Sequence, residues 1–307
     1  MNKIIKIIVV LSLSFMLFAQ DEAGGVAGAY LRMSPDARTA ALGNATTALY
    51  NDVNIALSNP ASIPSLEEKQ FSSSFQFLSL DRSFQTLSFG VKMPPNAGMS
   101  ISWIHAGVNN IEGRNYSNDY TYDYSWSQNA FIIGFGLQLT DWLALGVSGK
   151  VLSDQLINSN SSGFSADVGM SVRPIKNLVL GIVVKDISGK TTWDTSLEPY
   201  VDYQTRRVDY YPTTFHLGLS YLLMDRFLFT GAYKYSETIE PTWHAGVEAR
   251  VWDGIYLRAG ANNGAPSFGL GTSFKLWKNI SSRMDYAFLT GTLHEGGSHL
   301  FTWLFNF

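Results

Sequence analysis

Two places in the chain hold residue types that do acid–base or nucleophilic work: the dipeptide Ser298-His299, and the set His244, Glu248, Arg250 and Arg258. A serine nucleophile needs a histidine within hydrogen-bond reach. Neighbours on a strand point to opposite faces, so Ser298 and His299 cannot serve each other. His244, Glu248 and Arg250 fall on one phase of a strand, with Arg258 in the next segment. Such a set could be a dyad inside a membrane barrel with lipase activity, or an internal network of ion pairs. With no nucleophile at a motif position, the network is the expectation. The other histidines, His105, His216 and His294, complete no His-Glu-x-x-His pair, and the chain has no cysteine. The residues therefore point to a protein that is not an enzyme, with no catalytic residues, no metal and no cofactor. Gly269-Leu-Gly271 lacks a phosphate-loop context and reads as strand positions with room inside.

The elements that carry these residues alternate with a period of two. Phe131, Ile133, Phe135, Leu137 and Leu139 alternate with Ile132, Gly134, Gly136 and Gln138, and Phe164, Ala166, Val168, Met170 and Val172 alternate with Ser165, Asp167, Gly169 and Ser171. The final residues do the same. Phe301, Trp303, Phe305 and Phe307 share one face, and Leu300, Thr302, Leu304 and Asn306 the other. A soluble protein rarely ends on its most apolar edge, whereas the last strand of an outer-membrane barrel pairs with the first and turns one face to lipid. These four residues are thus expected to form a membrane-facing assembly strand.

About fourteen such segments can be counted: 69–79, 82–93, 97–107, 127–140, 142–154, 162–173, 176–187, 212–223, 226–237, 240–252, 254–262, 266–276, 279–290 and 297–307. Every second connection is a tight turn, such as Pro94-Pro95-Asn96, Thr140-Asp141, Met224-Asp225 and Asp253-Gly254, while 108–126 and 188–211 read as long polar loops. The fold class is all-β, a transmembrane antiparallel barrel, with the termini on the periplasmic side where the short turns gather. A two-sheet sandwich also alternates, but strands this numerous would make a very large one.

Charge tests the phase. Lys150, Asp167, Arg173, Lys185, Arg226, Lys234, Glu248, Arg250, Arg258, Lys275, Arg283 and Asp285 all fall on the small, polar face and are expected in the lumen. A lysine or arginine facing lipid at mid-membrane costs about 2–4 kcal/mol, so a bilayer enforces this sorting. Asp186, Glu237 and His105 are out of phase and are placed near strand ends. Trp142, Trp252 and Trp277 adjoin tight turns, as interfacial aromatics would. The 108–126 and 188–211 stretches carry Tyr116, Tyr120, Tyr122, Tyr124, Trp126, Trp193, Tyr200, Tyr203, Tyr210 and Tyr211, which suit either capture of a protein or ligand or an outer aromatic belt.

Composition agrees. Charged residues make up 15% and aromatics 14% of 307 residues, a mix poor for a soluble enzyme. A net charge of −3 gives nucleic-acid binding no electrostatic support. Residues 1–19 read as a secretory signal: Lys3 and Lys6, the apolar run Ile7 to Phe18, and cleavage after Ala19. The expected organisation is a signal peptide at 1–19, a plug or hatch at 20–67 and a barrel at 68–307. The membrane is the outer membrane of a Gram-negative-type bacterium, and its lipid is the first partner.

Within the plug, residues 23–66 are rich in Ala, Gly, Asn and Ser, and Asn59-Pro60 is a good helix start. A barrel of this size encloses space that its wall side chains do not fill, and a compact segment would close it. The motifs here are Ala37-Arg38…Leu42-Gly43-Asn44-Ala45, Tyr50-Asn51-Asp52 and Asn59-Pro60-Ala61. Near the end stand Asp285-Tyr286-Ala287-Phe288 and Gly297-Ser298-His299. Together they resemble the signature of the PorV/PorQ family, itself similar to the FadL-like outer-membrane barrels. The resemblance makes Ala37, Arg38, Gly43, Asn59, Pro60 and Ala61 the plug motif. It implies a fourteen-strand barrel with an N-terminal hatch, and two possible tasks. PorV-like proteins take part in type IX secretion, receiving exported cargo and handing it on, so secretion-system proteins and cargo would be partners. FadL-like proteins conduct hydrophobic molecules across the outer membrane, so hydrophobic ligands would be.

Overall fold

The computed structural model describes residues 26–156, 159–194, 206–290 and 296–307. The strands are β1 (Gln70–Phe77), β2 (Arg82–Met93), β3 (Ala97–Arg114), β4 (Tyr120–Thr140), β5 (Leu143–Leu156), β6 (Ser159–Ile175), β7 (Leu178–Asp194), β8 (Arg206–Tyr210), β9 (Thr214–Leu223), β10 (Phe227–Ser236), β11 (Thr242–Trp252), β12 (Ile255–Asn262), β13 (Ala265–Trp277), β14 (Ile280–Leu289) and β15 (Ser298–Asn306). Each pairs antiparallel with its neighbours. β1 zips to β15 from Gln70↔Asn306 to Phe77↔His299, and β6 pairs with β7, so the sheet closes on itself. β8 and β9 lie end to end along β7 and share one place in the ring, giving a closed barrel fourteen strands around.

The alternation read from sequence is the alternation seen. Phe131, Ile133, Phe135, Phe164, Leu217, Phe268, Phe301, Trp303 and Phe307 stand exposed on the outer wall, whereas Ile132, Leu300, Thr302 and Leu304 are buried inside. Closure leaves no free edge, so the backbone groups of the wall are satisfied within the sheet. Phe71 stacks on Phe305 and Phe89 on Phe307, carrying the apolar surface across the β15–β1 seam.

Three expectations need correction. The stretches 108–126 and 188–211 are not simply loops: β3 runs to Arg114, β4 begins at Tyr120, β7 runs to Asp194, and β8 lies at Arg206–Tyr210. Beyond the apolar belt the strand ends are polar on both faces, so backbone pairing persists without a hydrophobic rhythm to reveal it. Asp186 is not an interfacial residue at a strand end. It sits mid-strand in β7, where left-handed backbone at Asp186 (φ 59°) and Ser188 (φ 54°) inserts bulges that turn its side chain inward. The inward glycines do not mark empty space either. They are the seat of the hatch, as described below. The signal at 1–19 and His294 lie outside the described residues, as do residues 20–25, Tyr200 and Tyr203.

Candidate functional site

The lumen holds residues 26–66 as short turns rather than regular elements: 3-10 segments Ala29–Arg32, Val53–Leu57 and Pro60–Ser65, and one helix, α1 (Ala37–Ala41). Their starts follow from local chemistry. Asp36, Asp52 and Asn59 each accept a hydrogen bond from a backbone N–H two or three residues on. Asn59 also donates to the Thr47 carbonyl at 2.9 Å, and Pro60 follows it at the first helical position. Small residues keep the segment thin, and the wall supplies glycines where backbone meets backbone. A Cβ at Gly146 or Gly260 would overlap the backbone of Pro60-Ala61 or Leu42-Gly43, one at Gly98 would lie 2.8 Å from Ile63, and one at Gly269 would strike Ala41. Hatch carbonyls are taken up by the wall: Ser220 Oγ donates to Ala48 O at 2.9 Å, Lys185 Nζ to Leu57 O at 2.9 Å, and His244 Nδ1 lies 2.8 Å from Gly43 O.

Toward β11–β14 the hatch is joined to the wall by a closed ring of six alternating charges. Arg38 pairs with Glu248 (2.9 Å), Glu248 with Arg258 (2.6 Å), Arg258 with Asp285 (2.7 Å), Asp285 with Arg283 (2.6 Å), Arg283 with Asp52 (2.5 Å), and Asp52 with Arg38 (3.4 Å). Two members, Arg38 and Asp52, belong to the hatch. Every charge of the ring has two opposite neighbours, the condition under which buried ion pairs are tolerated. Burial alone would push the Asp52 carboxyl up, but Arg283 and Arg38 hold it below the ordinary range. Asp36 lacks such a partner. Burial and the nearby Asp52 charge push it up to about 7.

Toward β5–β7 the charges pair within the wall. Lys150 Nζ lies 2.7 Å from Asp167 and 2.7 Å from Asp186, and the Asp186 N–H donates to Asp167 at 2.9 Å, so this triad staples the bulged part of β7 to its neighbours. Beside it the ladder is broken. β7 pairs with β9 up to Lys185 and with β8 from Lys190, leaving Asp186–Gly189 opposite Tyr211-Pro212-Thr213. Pro212 has no N–H to donate there. The break is bridged by Tyr211 N–H to Gly189 O (2.8 Å) and Thr213 Oγ1 to Asp186 O (3.2 Å), and backed by Tyr30 and Leu31 of the hatch. On the long-hairpin side of the hatch, a cavity of about 360 Å³ reaches this region. Leu31, Leu57 and Thr47 line its floor, and Lys185, Asp186, Thr214 and Lys234 its wall.

The plug motif and the inward charges thus meet in one place, though not all of them. Arg38, Glu248, Arg258, Arg283 and Asp285 form the ring, Arg173 lies over the Tyr50 ring at 4.7 Å, and Gly43, Asn59, Pro60 and Ala61 touch the glycine seat. Ala37 donates its N–H to Thr302 Oγ1 at 2.8 Å. Arg250 and Lys275 keep the inward phase but sit exposed near the short-turn rim, outside either cluster. Sequence reasoning missed Asp52 as a ring member, although its place in the Tyr50-Asn51-Asp52 motif singled it out. It also missed Asp186, which only the bulges bring inward. His244 faces Gly43 and Thr242 (2.9 Å), and Glu248 is held by two arginines, so the two do not form a dyad. Among the described residues no cluster of metal-ligating side chains occurs.

No protein-family model matches the chain, and no curated protein sequence matches it. Solved structures do. A FadL homologue of Pseudomonas aeruginosa superposes with a TM-score of 0.61 at 12% identity, covering 90% of this chain and 98% of that one. The toluene transporter TodX of Pseudomonas putida gives 0.60 at 14% identity (89% and 97%), and the toluene transporter TbuX of Ralstonia pickettii 0.62 at 11% (90% and 99%). At such identities the likeness concerns architecture. The chain has the fold of the FadL-like outer-membrane barrels.

Proposed function

We propose that the protein is an outer-membrane barrel that conducts small hydrophobic molecules, with its short-turn rim and termini toward the periplasm. The observation that carries this reading is the cavity on the hatch, which reaches Lys185, Asp186 and Thr214 beside the break in the wall ladder. A ligand entering from the long-hairpin side meets a floor held by the charge ring, and the weakest way onward is sideways past Tyr211. The proteins of like fold that are named as toluene transporters support a hydrophobic cargo. The chain has no cysteine, which makes the test clean. A Cβ at Gly189 would lie 2.9 Å from Tyr211 Cβ, closer than the roughly 3.5–4.5 Å of a relaxed disulfide, so the pair Gly189→Cys and Tyr211→Cys can be joined across the break once the strands part by about 1 Å. Oxidised cells should lose uptake of a labelled monoaromatic hydrocarbon and regain it on reduction. Uptake indifferent to the crosslink sinks the sideways route, and uptake unchanged by deleting the gene sinks the conduit.

A second reading, a type IX secretion component that binds and hands over exported cargo, draws on the plug signature and on the exposed Tyr116, Tyr120, Tyr122 and Trp126 of the long β3–β4 hairpin. It requires cargo proteins to accumulate in the periplasm of a deletion strain. An unaltered secretome counts against it.

A further inference from the structure

Around the short-turn rim the inward phase of the wall carries one sign of charge: Lys92 on β2, Arg173 on β6, Arg226 just ahead of β10, Arg250 on β11 and Lys275 on β13. The register fixes their face. Lys92 pairs with Gly98, where a Cβ would meet Ile63 of the hatch. Arg250 pairs with Tyr256, two residues before the ring member Arg258, and Lys275 with Ser281, two before Arg283. Arg226 stands two residues before Leu228, which packs on the hatch. Arg173 lies over the Tyr50 ring, and its buried Nε has no hydrogen-bond partner. Among the described residues, Lys92, Arg226, Arg250 and Lys275 have no side-chain hydrogen bond or ion pair. The carboxylates at this end, Glu67, Glu68, Asp141, Asp225 and Asp253, belong to the link between hatch and β1 and to the turns, and none is within ion-pair distance of these cations. Arg226 and Arg250 face each other across neighbouring strands: the Arg250 N–H donates to the Arg226 carbonyl at 2.9 Å, continuing the register of Phe227↔Ala249. Like charges so placed repel. A carboxylate arriving between them relieves the repulsion and meets two guanidinium forks.

We propose that this basic collar docks an extended acidic segment of a periplasmic protein. From Arg173 to Lys275 the collar passes β7, β9, β10, β11 and β12, roughly 29 Å along the wall at about 4.8 Å a step. A small anion can sit at the Arg226–Arg250 pair but cannot span that arc. An extended chain can: acidic residues at every second position stand about 7 Å apart on one side of it, so eight or so residues reach from end to end. Arg226, Arg250 and Lys275 are exposed, so such a segment needs no opening of the barrel to reach them. The inference rests on the short-turn rim facing the periplasm and on neither reading of the cargo.

The test uses the whole protein in nanodiscs of zwitterionic lipid, which leave both mouths open, and a fluorescent decapeptide of alternating serine and glutamate read by anisotropy. The wild type should bind it, more weakly as salt rises. Arg226→Gln/Arg250→Gln should bind about tenfold more weakly, the loss of two exposed ion pairs. Lys190→Gln, which removes an exposed cation toward the other end of β7, should bind like the wild type. Equal binding by the wild type and the double variant overturns the collar, as does equal binding of a serine–glutamine decapeptide. Displacement by inorganic phosphate as readily, charge for charge, as by unlabelled peptide reduces the site to a small-anion pair and overturns the docked segment. Orientation is read separately with Asn279→Cys, in the β13–β14 turn of a chain that has no cysteine. It should resist an impermeant maleimide in intact cells and react once the outer membrane is permeabilised. Labelling of intact cells refutes the periplasmic partner together with the placement of the rim, whereas protection without peptide binding refutes the collar alone.

Discussion

Toward β11–β14 the hatch meets the wall through charges: Arg38 and Asp52 are two links of a six-membered ring whose other members belong to strands. Toward β5–β9 it meets glycines, as it also does at Gly246, Gly260 and Gly269, along with the Arg173 guanidinium over Tyr50 and the Lys185 hydrogen bond to Leu57 O, while the ionic triad there, Lys150 with Asp167 and Asp186, binds strand to strand. The same kinds of residue thus do different jobs on opposite sides of one lumen. On the first side ion pairs tie hatch to wall; on the second they tie strand to strand, and that is the side on which the ladder is broken.

The sharpest way to break this contrast is to delete one charge on each side. Arg38→Met leaves Glu248 and Asp52 short of a partner, and Lys150→Met leaves Asp167 and Asp186 facing each other. Each should cost about 3–5 kcal/mol, the usual result of orphaning a buried charge. The two should differ in what comes loose. Limited proteolysis should cut within 26–66 in Arg38→Met, and near the β7 bulges in Lys150→Met. Identical cleavage patterns would mean that the two sides are not distinct.

A somewhat smaller effect is expected at the seat. Gly260→Val raises strand propensity yet drives a side chain into Leu42-Gly43, and overpacking of this kind costs about 1–3 kcal/mol or more. Gly231→Val is the control, because a Cβ there meets its nearest neighbour, the His244 carbonyl, at an ordinary 3.7 Å. Denaturant midpoints for the two should separate widely, and equal midpoints would remove the glycines from the argument.

The sequence carried the wall well. Two-residue alternation from Phe131 to Leu139 and from Phe301 to Phe307 follows from an apolar outer wall on one side and a packed lumen on the other, so it can be read without a structure. Inward charges such as Glu248, Arg258 and Asp285 followed from the same phase. What could not be read was anything that depends on one strand departing from its own rhythm. The Asp186 bulge changes phase without changing composition, and the polar ends of β3, β4 and β7 have no apolar partner to set a period. The glycines were legible as glycines, but their meaning lay in the hatch backbone, far away in sequence. Gly146 and Pro60 are neighbours only once the sheet has closed.

A further expected effect concerns pH and the charged side of the hatch. Asp36 titrates at about 7 when folded and near 3.8 in a free chain, so between those values the folded state holds a proton that the unfolded state has lost. Stability should therefore fall as pH rises from about 4 to 7, and level off above. Asp36→Asn keeps a good cap while removing the titration. The variant's denaturation midpoint should lose that slope. A slope that persists would assign the pH response to another group.

The hatch is tethered through Leu66 to β1, the strand whose pairing with β15 completes the ring. Seating the stopper and sealing the cask are consequently one event in the life of the chain. Once Gln70 to Phe77 have zipped against His299 to Asn306, the glycine seat is roofed over and the charge ring is enclosed. A barrel that sealed first would have to thread its own leader in through the short-turn rim. Berthing the earlier-made hatch before the later-made β15 arrives avoids that threading, which ties the order of insertion to the final shape.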